Sequence, residues 1–332
     1  MGGIDALTAA AKAEGTLNVI GLPPDWANYG AIIDAFQTKY GLKVVSGQPD
    51  ATSADEIAAA TDKKGTGTAP DVFDLDRSVA IGSADRFAPY RVANWADIPG
   101  KIKDAKGAAW YGDYVGFMSV GCDTSRVLPP AKVADLLLPK FRGIVALNGD
   151  PTTSLSAFHG VVMAALANGG SADNLAPGVA FFQKLSDQGN LVAVDPNPGT
   201  IRSGQTPCVI DWVYNNASQA SALEGSFDYQ VTVPSDAPPV GSYDVQAINK
   251  NAPHPAAARL WEEYLYSPEG SNAWIKGFTV PATLDAMRTN GTIDTAALAA
   301  LPATGGGAVV LTPDQIAKGQ AYLQSNWKLK LN

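Results

Sequence analysis

Histidine, cysteine and basic residues are scarce in this 332-residue sequence, and each scarcity argues against a class of function. There are 2 histidines and 2 cysteines, and Cys122 and Cys208 have no His or Cys neighbours at the spacing of zinc ligands. We therefore expect no metal site and no cofactor. Lys and Arg total 24 against 32 Asp and Glu, which gives a net charge of -8. Because the basic residues are scattered and form no stripe that could neutralise a phosphate backbone, we expect no nucleic-acid partner.

Long apolar runs and familiar catalytic motifs are also missing. The longest convincing apolar run, 161–166, is far shorter than the about 18 residues that indicate a membrane-spanning helix. We therefore expect a soluble mature chain. The sequence contains no Gly-x-Ser-x-Gly, no His-Glu-x-x-His and no phosphate loop ending in Gly-Lys-Ser/Thr. These absences predict a protein that is not an enzyme and has no catalytic residues.

The two cysteines leave more than one interpretation open. We predict a disulfide between Cys122 and Cys208, because both lie beside strand signals of the same predicted lobe and an oxidising compartment would pair them. Two inert buried thiols are the structural alternative. A free, activated Cys122 would support an enzyme that uses it as a nucleophile.

What the sequence does contain is a regular alternation of strand and helix signals. A chain of this length with 46% hydrophobic residues favours two domains. The first third predicts a βαβαβ plan, which is typical of a mainly parallel sheet covered by helices. Its strands are expected at 17–20, 42–45 and 70–75, and its helices at 4–13, 29–40 and 53–61, the last one capped by Ser53.

Two extended segments interrupt this alternation and divide the chain. Residues 111–120 alternate like a strand and are interpreted as a crossing into a second α/β lobe, and residues 242–248 as the return. The predicted fold is therefore α/β, with two doubly wound lobes joined by a hinge of two crossing segments. Lobe 1 comprises 1–118 and 243–332, and lobe 2 comprises 119–242.

Several motifs resemble the family-1 bacterial extracellular solute-binding proteins, the group with ferric-ion and polyamine receptors of ABC importers. Ala252-Pro253-His254-Pro255-Ala256-Ala257-Ala258 opens a predicted helix that is followed by Ser267-Pro268-Glu269-Gly270, as in that family. The segments 145–151 and 9–15 are also similar. The resemblance implies a type II periplasmic-binding fold, but it leaves the ligand open because function lies in the site.

Ligands of open α/β sheets bind outside the carboxyl ends of the strands, so candidate residues should follow strands. Trp26 and Tyr29 follow the first strand, where an aromatic pair can face a cation, although Trp26 can also staple the next helix. Asp76 and Arg77 follow the third strand, and a helix cap beside a solvated arginine is the structural alternative.

In lobe 2, two further segments end strands. Thr153 and Ser154 begin a predicted helix at 151–166, whose N-terminus favours an anion, and simple N-capping by Asp150 or Thr152 is the alternative. Asp211, with Trp212 and Tyr214, offers a carboxylate between aromatic rings for a ligand ammonium, against the alternative of a helix cap.

Tyrosines beside the two crossings complete the candidate site. Tyr114 precedes the first crossing and Tyr243 opens the second, and either can instead belong to the core.

Together these features predict an ABC-transporter substrate-binding protein that captures a small amine-containing solute in the interlobe cleft by hinge closure. A polyamine, an ω-amino acid and an aminophosphonate-like zwitterion remain open. The resemblance also implies a membrane permease as partner, a monomeric state and a periplasmic or extracellular location, with or without a lipid anchor in the precursor. Ferric ion is the alternative ligand, but relatives that bind it use paired tyrosines, and here Asn215 follows Tyr214.

Overall fold

The computed structural model describes residues 3–302 and 308–331. The chain divides into two compact units. The first unit comprises the described residues of Met1–Val115 and Tyr243–Leu301, and the second those of Gly116–Ser242 and Pro302–Asn332. Two long strands, β5 (Tyr111–Asp123) and β9 (Val240–Asn249), each continue from one unit into the other.

Short strands and helices alternate through the first unit. Its N-terminal segment contains α1 (Gly3–Glu14), β1 (Thr16–Ile20), α2 (Tyr29–Tyr40), β2 (Lys43–Gly47), α3 (Ser53–Asp62), β3 (Val72–Asp76), α4 (Arg77–Gly82) and β4 (Phe87–Ala88). Its C-terminal segment contains α9 (Pro255–Leu265), α10 (Pro268–Lys276), β10 (Val280–Pro281), α11 (Leu284–Asn290) and α12 (Thr295–Ala299). Short 3₁₀ turns lie at Ala84–Arg86, Trp95–Asp97 and Gly100–Ile102.

The second unit has the same kind of alternation. It contains β6 (Val145–Leu147), α5 (Leu155–Ala167), α6 (Ala176–Asp187), α7 (Pro198–Arg202), β7 (Cys208–Trp212), α8 (Val213–Ala222), β8 (Tyr229–Thr232), β11 (Val309–Val310) and α13 (Pro313–Asn326). Its 3₁₀ turns lie at Val133–Leu137 and Pro139–Phe141. The predicted α/β fold class is confirmed, and two strands cross between the units near the predicted positions.

Strand pairing in the first unit is mixed rather than mainly parallel. β1 and β2 pair in parallel, whereas β3 and β4 run antiparallel to β9 and β10 runs antiparallel to β5. The expectation of a mainly parallel sheet was wrong here because it was drawn from the first third of the sequence. The strand that returns from the second unit, β9, pairs with β3 and reverses the direction of that ladder.

In the second unit, β7 lies between a parallel and an antiparallel neighbour. β6 pairs with β7 in parallel, β5 pairs with β7 and with β8 antiparallel, and β11 pairs in parallel with the start of β9. The register aligns Cys122 with Cys208 on neighbouring strands, and the two sulfurs form the predicted disulfide. The enzyme alternative needed a free Cys122, so this disulfide removes its nucleophile.

The C-terminal helix packs in the second unit, although the sequence pattern predicted all of 243–332 in lobe 1. On α13, Gly319 lies so close to α5 that an added Cβ would be 2.8 Å from Cε2 of Phe158. The ring of Trp327 is 5.6 Å from that of Phe182 on α6. These contacts bury apolar surface that neither α5 nor α6 covers alone, which explains the grouping.

The cap of α3 and the start of α5 differ from the predicted ones. Thr52, rather than Ser53, caps α3, since its hydroxyl accepts from the N–H of Asp55 and the Asp55 carboxylate accepts from the N–H of Thr52. In the second unit α5 begins at Leu155, four residues later than expected, and Ser154 is its cap. The hydroxyl of Ser53 instead accepts from the N–H of Asp76 at 2.9 Å and links α3 to β3.

Aromatic packing and a charged cap hold the first unit together. The rings of Trp261 and Tyr264 on α9 lie 5.1 and 5.6 Å from Phe36 on α2. The Glu14 carboxylate accepts from the N–H groups of Ala256 and Ala257 at the N-terminus of α9, where negative charge is favourable. None of the helices in the described ranges is long and apolar enough to cross a membrane.

Candidate functional site

The end of β3 in the first unit brings Asp76 and Arg77 to the start of α4. The Asp76 carboxylate accepts from the N–H of Ser78 at 2.7 Å and from its hydroxyl, so Asp76 is the N-cap of α4. This is the structural role that the sequence left open. The Arg77 guanidinium instead turns to β9 and lies over the Tyr243 ring, 5.4 Å from its centroid.

Arg77 and Tyr243, which we call the donor pair, have polar atoms without hydrogen-bond partners. Within the described residues neither Nε of Arg77 nor the buried hydroxyl of Tyr243 has an acceptor, and the polar group next to that hydroxyl is the Arg77 guanidinium itself. Burial raises the pKa of the Tyr243 hydroxyl to about 12, although the guanidinium beside it acts in the opposite direction. At neutral pH both groups are therefore hydrogen-bond donors.

Carboxyl groups of Asp74, Asp113 and Asp244 form a second group in the first unit, the carboxyl cluster. Burial raises the pKa of all three, and repulsion from Asp113 adds to it for Asp74 and Asp244. The pKa of Asp113 is about 6, and that carboxylate accepts from the side-chain amide of Gln246 at 2.9 Å. Asp74 and Asp244 are half-buried, and Oδ1 of Asp74 has no partner in the described part of the chain.

Glu56 and Tyr29 border the carboxyl cluster. Glu56 is 1% exposed, and its carboxyl group accepts from the N–H of Asp74 at 3.2 Å, which links α3 to β3. The Tyr29 hydroxyl accepts from the Gln246 amide at 3.1 Å. Tyr29 was predicted as a ligand residue and is fully buried, on the α2 side of the cluster.

Trp26 and Tyr114 are joined directly. The indole N–H of Trp26 donates to the Tyr114 hydroxyl at 2.9 Å. Trp26 is half-buried and Tyr114 is buried, and the Tyr114 ring also packs 5.6 Å from that of Trp274. Trp26 and Tyr114, both predicted as ligand residues, thus contact each other directly near the start of α2.

In the second unit, Asp211 ends β7 with its carboxylate almost buried. Its side chain accepts from the Asn148 amide at 2.8 Å and from the N–H of Trp212 at 2.7 Å, and the residue is 6% exposed. Burial raises the pKa of Asp211 to about 6, against the opposing effect of these hydrogen bonds. The carboxylate is therefore mostly ionised at neutral pH, and among the described residues no cation forms an ion pair with it.

Aromatic rings stand beside Asp211. Trp212 and Tyr214 are stacked, with centroids 6.1 Å apart and planes at 12°, and the His159 ring lies 5.0 Å from Trp212. The Tyr214 ring fits over Gly116, where an added Cβ would be 2.9 Å from its Cδ1 and still closer to its Cε1. With Asn148, these residues form what we call the Asp211 group.

Of the two residues predicted at this helix start, Ser154 contacts the Asp211 group through Asn148, and Thr153 bonds to Asp150 instead. Ser154 caps α5 by accepting from the N–H of Ala157 at 3.3 Å, and its hydroxyl donates to the carbonyl of Asn148. Thr153 is exposed, and its hydroxyl is 3.4 Å from the carbonyl of Asp150. The Ser154 hydroxyl, which was expected to help bind an anion at this helix start, therefore already forms hydrogen bonds within the protein.

A separate cavity of about 340 Å³ opens in the first unit at the end of β9. It is lined by Ala60, Thr61, Lys64, Asp85, Arg86, Asn249, Lys250 and Asn251. No predicted ligand residue lines it, and its charged side chains are exposed to solvent. In the described ranges no three His, Cys, Asp or Glu side chains are grouped so that they could hold a metal ion.

A profile for "Bacterial extracellular solute-binding protein" matches residues 79–302, about two thirds of the chain. The chain belongs to this family of solute-binding proteins. The family resemblance expected from the motifs is therefore confirmed, and membership implies a periplasmic or extracellular location. No curated protein matches the chain.

Solved structures of solute-binding proteins share the fold at low sequence identity. An ABC transporter substrate-binding protein from Bradyrhizobium japonicum USDA 110 has a TM-score of 0.70 at 13% identity, covering 95% of this chain and 100% of that one. AfuA from Actinobacillus pleuropneumoniae, with fructose-6-phosphate bound, has 0.66 at 18%, covering 95% and 99%. Iron-bound HitA from Pseudomonas aeruginosa has 0.63 at 17%, also covering 95% and 99%. At these identities the likeness shows the fold of this solute-binding protein and leaves its solute open.

The residues that the sequence missed lie within strands or far away along the chain. Asp74 and Asp244 are strand residues rather than strand-end residues, and Asn148 is 63 positions from Asp211. A signal for Asp74 was present, because a carboxyl group in the middle of the apolar strand Val72–Asp76 needs an explanation.

Proposed function

We propose that this solute-binding protein serves an ABC importer and captures a small amine-containing solute. The observation that carries the proposal is the Asp211 carboxylate. It is nearly buried and mostly ionised at neutral pH, and its partners are all uncharged, namely the Asn148 and Asn215 side-chain amides and the Trp212 N–H. Leaving a buried carboxylate without a cation is unfavourable, and a ligand ammonium would compensate it.

The aromatic rings beside Asp211 support the same class of solute. Trp212 and Tyr214 present stacked faces, and aromatic faces attract cations by up to about 2 kcal/mol when water is excluded. They also favour the methylene stem of an alkylamine. A bare metal ion would gain little from such a wall, so an organic amine fits these residues better than ferric ion.

The carboxyl cluster supplies a second argument. Asp74 and Asp244 are half-buried, and the pKa of each is raised by desolvation and by neighbouring carboxyl groups. A nearby cation stabilises the ionised form of such groups, so an amine and the cluster favour each other. The first unit thus has its own carboxyl groups suited to an amine.

Isothermal titration calorimetry and native mass spectrometry test the proposal. The purified protein is titrated with putrescine, spermidine, 4-aminobutanoate and 2-aminoethylphosphonate, and ligand that copurifies is released by denaturation and identified by mass. We expect at least one amine to bind well below millimolar concentration. If no amine binds at millimolar concentration and the released ligand contains no amine nitrogen, the proposal is wrong.

The ferric-ion alternative is tested in the same preparation. Ferric ion bound by tyrosinate would give a coloured protein with a charge-transfer band, and adding iron to the protein should produce no such band if the amine proposal holds. The proposal also includes a permease partner in the membrane and a monomeric receptor, with or without a lipid anchor. Light scattering of the purified protein should give the mass of one chain.

A further inference from the structure

The donor pair of Arg77 and Tyr243 is unusual because both members have polar atoms left without acceptors. The guanidinium lies over the Tyr243 ring, and Tyr243 is 5% exposed. In the described residues neither its hydroxyl proton nor Nε of Arg77 has an acceptor. Other buried donors of the described residues, such as the Tyr264 hydroxyl and the Trp261 indole N–H, also lack an acceptor. At Arg77 and Tyr243 two such donors lie against each other and one of them is a cation. Since buried donors are almost always paired in folded proteins, this arrangement favours an acceptor supplied from outside.

The Arg77 guanidinium also has no ion-pair partner among the described residues. Across the described ranges no Asp or Glu oxygen lies within ion-pair distance of its guanidinium. The nearest candidate in sequence, Asp76, directs its carboxylate to the N–H and hydroxyl of Ser78 instead.

A second arginine–tyrosine pair in the same unit shows what a purely structural arrangement looks like. Arg259 lies 5.9 Å from the Tyr90 ring centroid, close to the 5.4 Å of the donor pair. There the tyrosine hydroxyl donates to Oε1 of Glu263 at 2.7 Å, and Arg259 is exposed to water. The stacking is similar, but of these two tyrosines only Tyr243 has a hydroxyl without an acceptor in the described residues.

We propose that Arg77 and Tyr243 form a subsite for an oxyanion group of the solute, a carboxylate, phosphonate or phosphate. This rests on the proposed function and narrows it, because the solute would then carry an anionic group as well as an amine. A guanidinium binds the two oxygens of such a group with parallel N–H donors, and a phenol hydroxyl adds one more donor. The subsite replaces the anion site expected at Thr153 and Ser154, where the Ser154 hydroxyl already donates within the protein.

Titration calorimetry with three kinds of probe tests the subsite. Propylamine carries only the amine, methylphosphonate and propanoate carry only the oxyanion, and 2-aminoethylphosphonate and 4-aminobutanoate carry both. We expect the wild-type protein to bind a zwitterion at least 10-fold more tightly than propylamine, since a charge-assisted hydrogen bond contributes about that factor or more. Arg77→Gln should weaken zwitterion binding by about 10- to 100-fold and leave propylamine binding unchanged.

Tyr243→Phe is a second variant, and the change in binding expected for it would not follow from a purely structural role of Tyr243. It removes a buried hydroxyl that has no acceptor among the described residues, so the melting temperature should stay the same or rise. Binding of the zwitterions and oxyanions should nevertheless weaken by about 3- to 10-fold. Arg259→Gln and Tyr90→Phe are the matched controls, and both should bind all probes like wild type.

Each outcome separates the subsite from the amine proposal. If amines bind but Arg77→Gln and Tyr243→Phe change zwitterion and propylamine binding equally or not at all, the subsite is wrong and the amine proposal stands. If methylphosphonate or propanoate binds and is lost in Arg77→Gln while no amine binds, the subsite stands and the amine proposal fails. If the wild-type protein binds no probe at about 10 mM, which corresponds to a binding free energy weaker than about 3 kcal/mol, both are wrong.

Discussion

The side-chain amide of Asn148 donates to Oδ2 of Asp211 across 2.8 Å, joining the residue that follows β6 to the end of β7. This contact holds the carboxylate in place without neutralising it. An amide at position 211 could keep the same hydrogen bond through its carbonyl oxygen. The pair therefore allows the charge to be removed while the geometry is kept.

Asp211→Asn should weaken amine binding by about 2 to 5 kcal/mol, because the ligand ammonium would lose its only charged partner in the Asp211 group. Calorimetric titration with the tightest amine measures the loss. Asp187→Asn is the matched control, since Asp187 is exposed and also accepts from a side-chain amide at 2.8 Å, that of Gln183. An unchanged affinity in Asp211→Asn would exclude Asp211 from the site.

Stability of the ligand-free protein should fall as the pH rises from about 4 to above 6. The pKa values of Asp113 and Asp211 are both raised by burial to about 6, whereas an unfolded chain has about 3.9 for Asp. Between these values the folded state binds more protons, so stability is full below the unfolded pKa and declines through the folded one. Each group accounts for at most about 3 kcal/mol.

Thermal denaturation at a series of pH values measures this effect. The decline should be shallower in Asp113→Asn and in Asp211→Asn than in wild type, since each variant removes one titrating group. The exposed-site variant Asp187→Asn should follow the wild-type profile. Equal slopes in all four proteins would mean that neither buried carboxyl group titrates in this range.

Gly116→Ala should displace the Tyr214 ring and destabilise the protein by about 1 to 3 kcal/mol, the usual effect of overpacking. The new methyl carbon would lie 2.9 Å from Cδ1 of Tyr214. Amine affinity should fall together with stability, because Tyr214 and Trp212 are stacked. Gly241→Ala is the control, since its Cβ would meet nothing closer than 3.4 Å. Similar melting temperatures for the two variants would contradict this account.

Breaking the Cys122–Cys208 disulfide should destabilise the second unit, since it closes a loop with a sequence separation of 86. The chain-entropy model gives about 4 to 5 kcal/mol for such a loop. Denaturant unfolding of the Cys122→Ser/Cys208→Ser double variant measures the change. In the wild-type protein, thiol titration under denaturing, non-reducing conditions should find no free thiol, and two free thiols would contradict the pairing.

The fold class could be predicted from the sequence because the alternation of strand and helix signals is local. The crossing at Tyr111–Asp123 was visible for the same reason, as a long alternating segment. The direction of β3 was not predictable, because it depends on β9, which lies more than 160 residues later and pairs Asp76 with Asp244. The alternation of apolar and polar residues within a strand does not depend on which distant strand it pairs with.

For the candidate site, sequence position predicted which residues end strands but not what their polar groups contact. Ser154 follows β6 and Asp76 ends β3, close to the expected positions. Both nevertheless cap helices, because their side-chain oxygens accept from nearby backbone N–H groups. Asp113 and Gln246 come from segments 133 positions apart, so their contact required the folded structure. Whether the predicted ligand residues bind a solute stays a prediction.

The placement of α13 has a consequence for the order in which the chain can fold during synthesis. The second unit needs this helix to cover Phe158 and Phe182, and α13 is made after every other helix. The first unit is likewise incomplete until β9 pairs with β3. On a growing chain β3 would therefore lack its partner until residue 249 has been added, and Phe158 and Phe182 would stay uncovered until α13 follows.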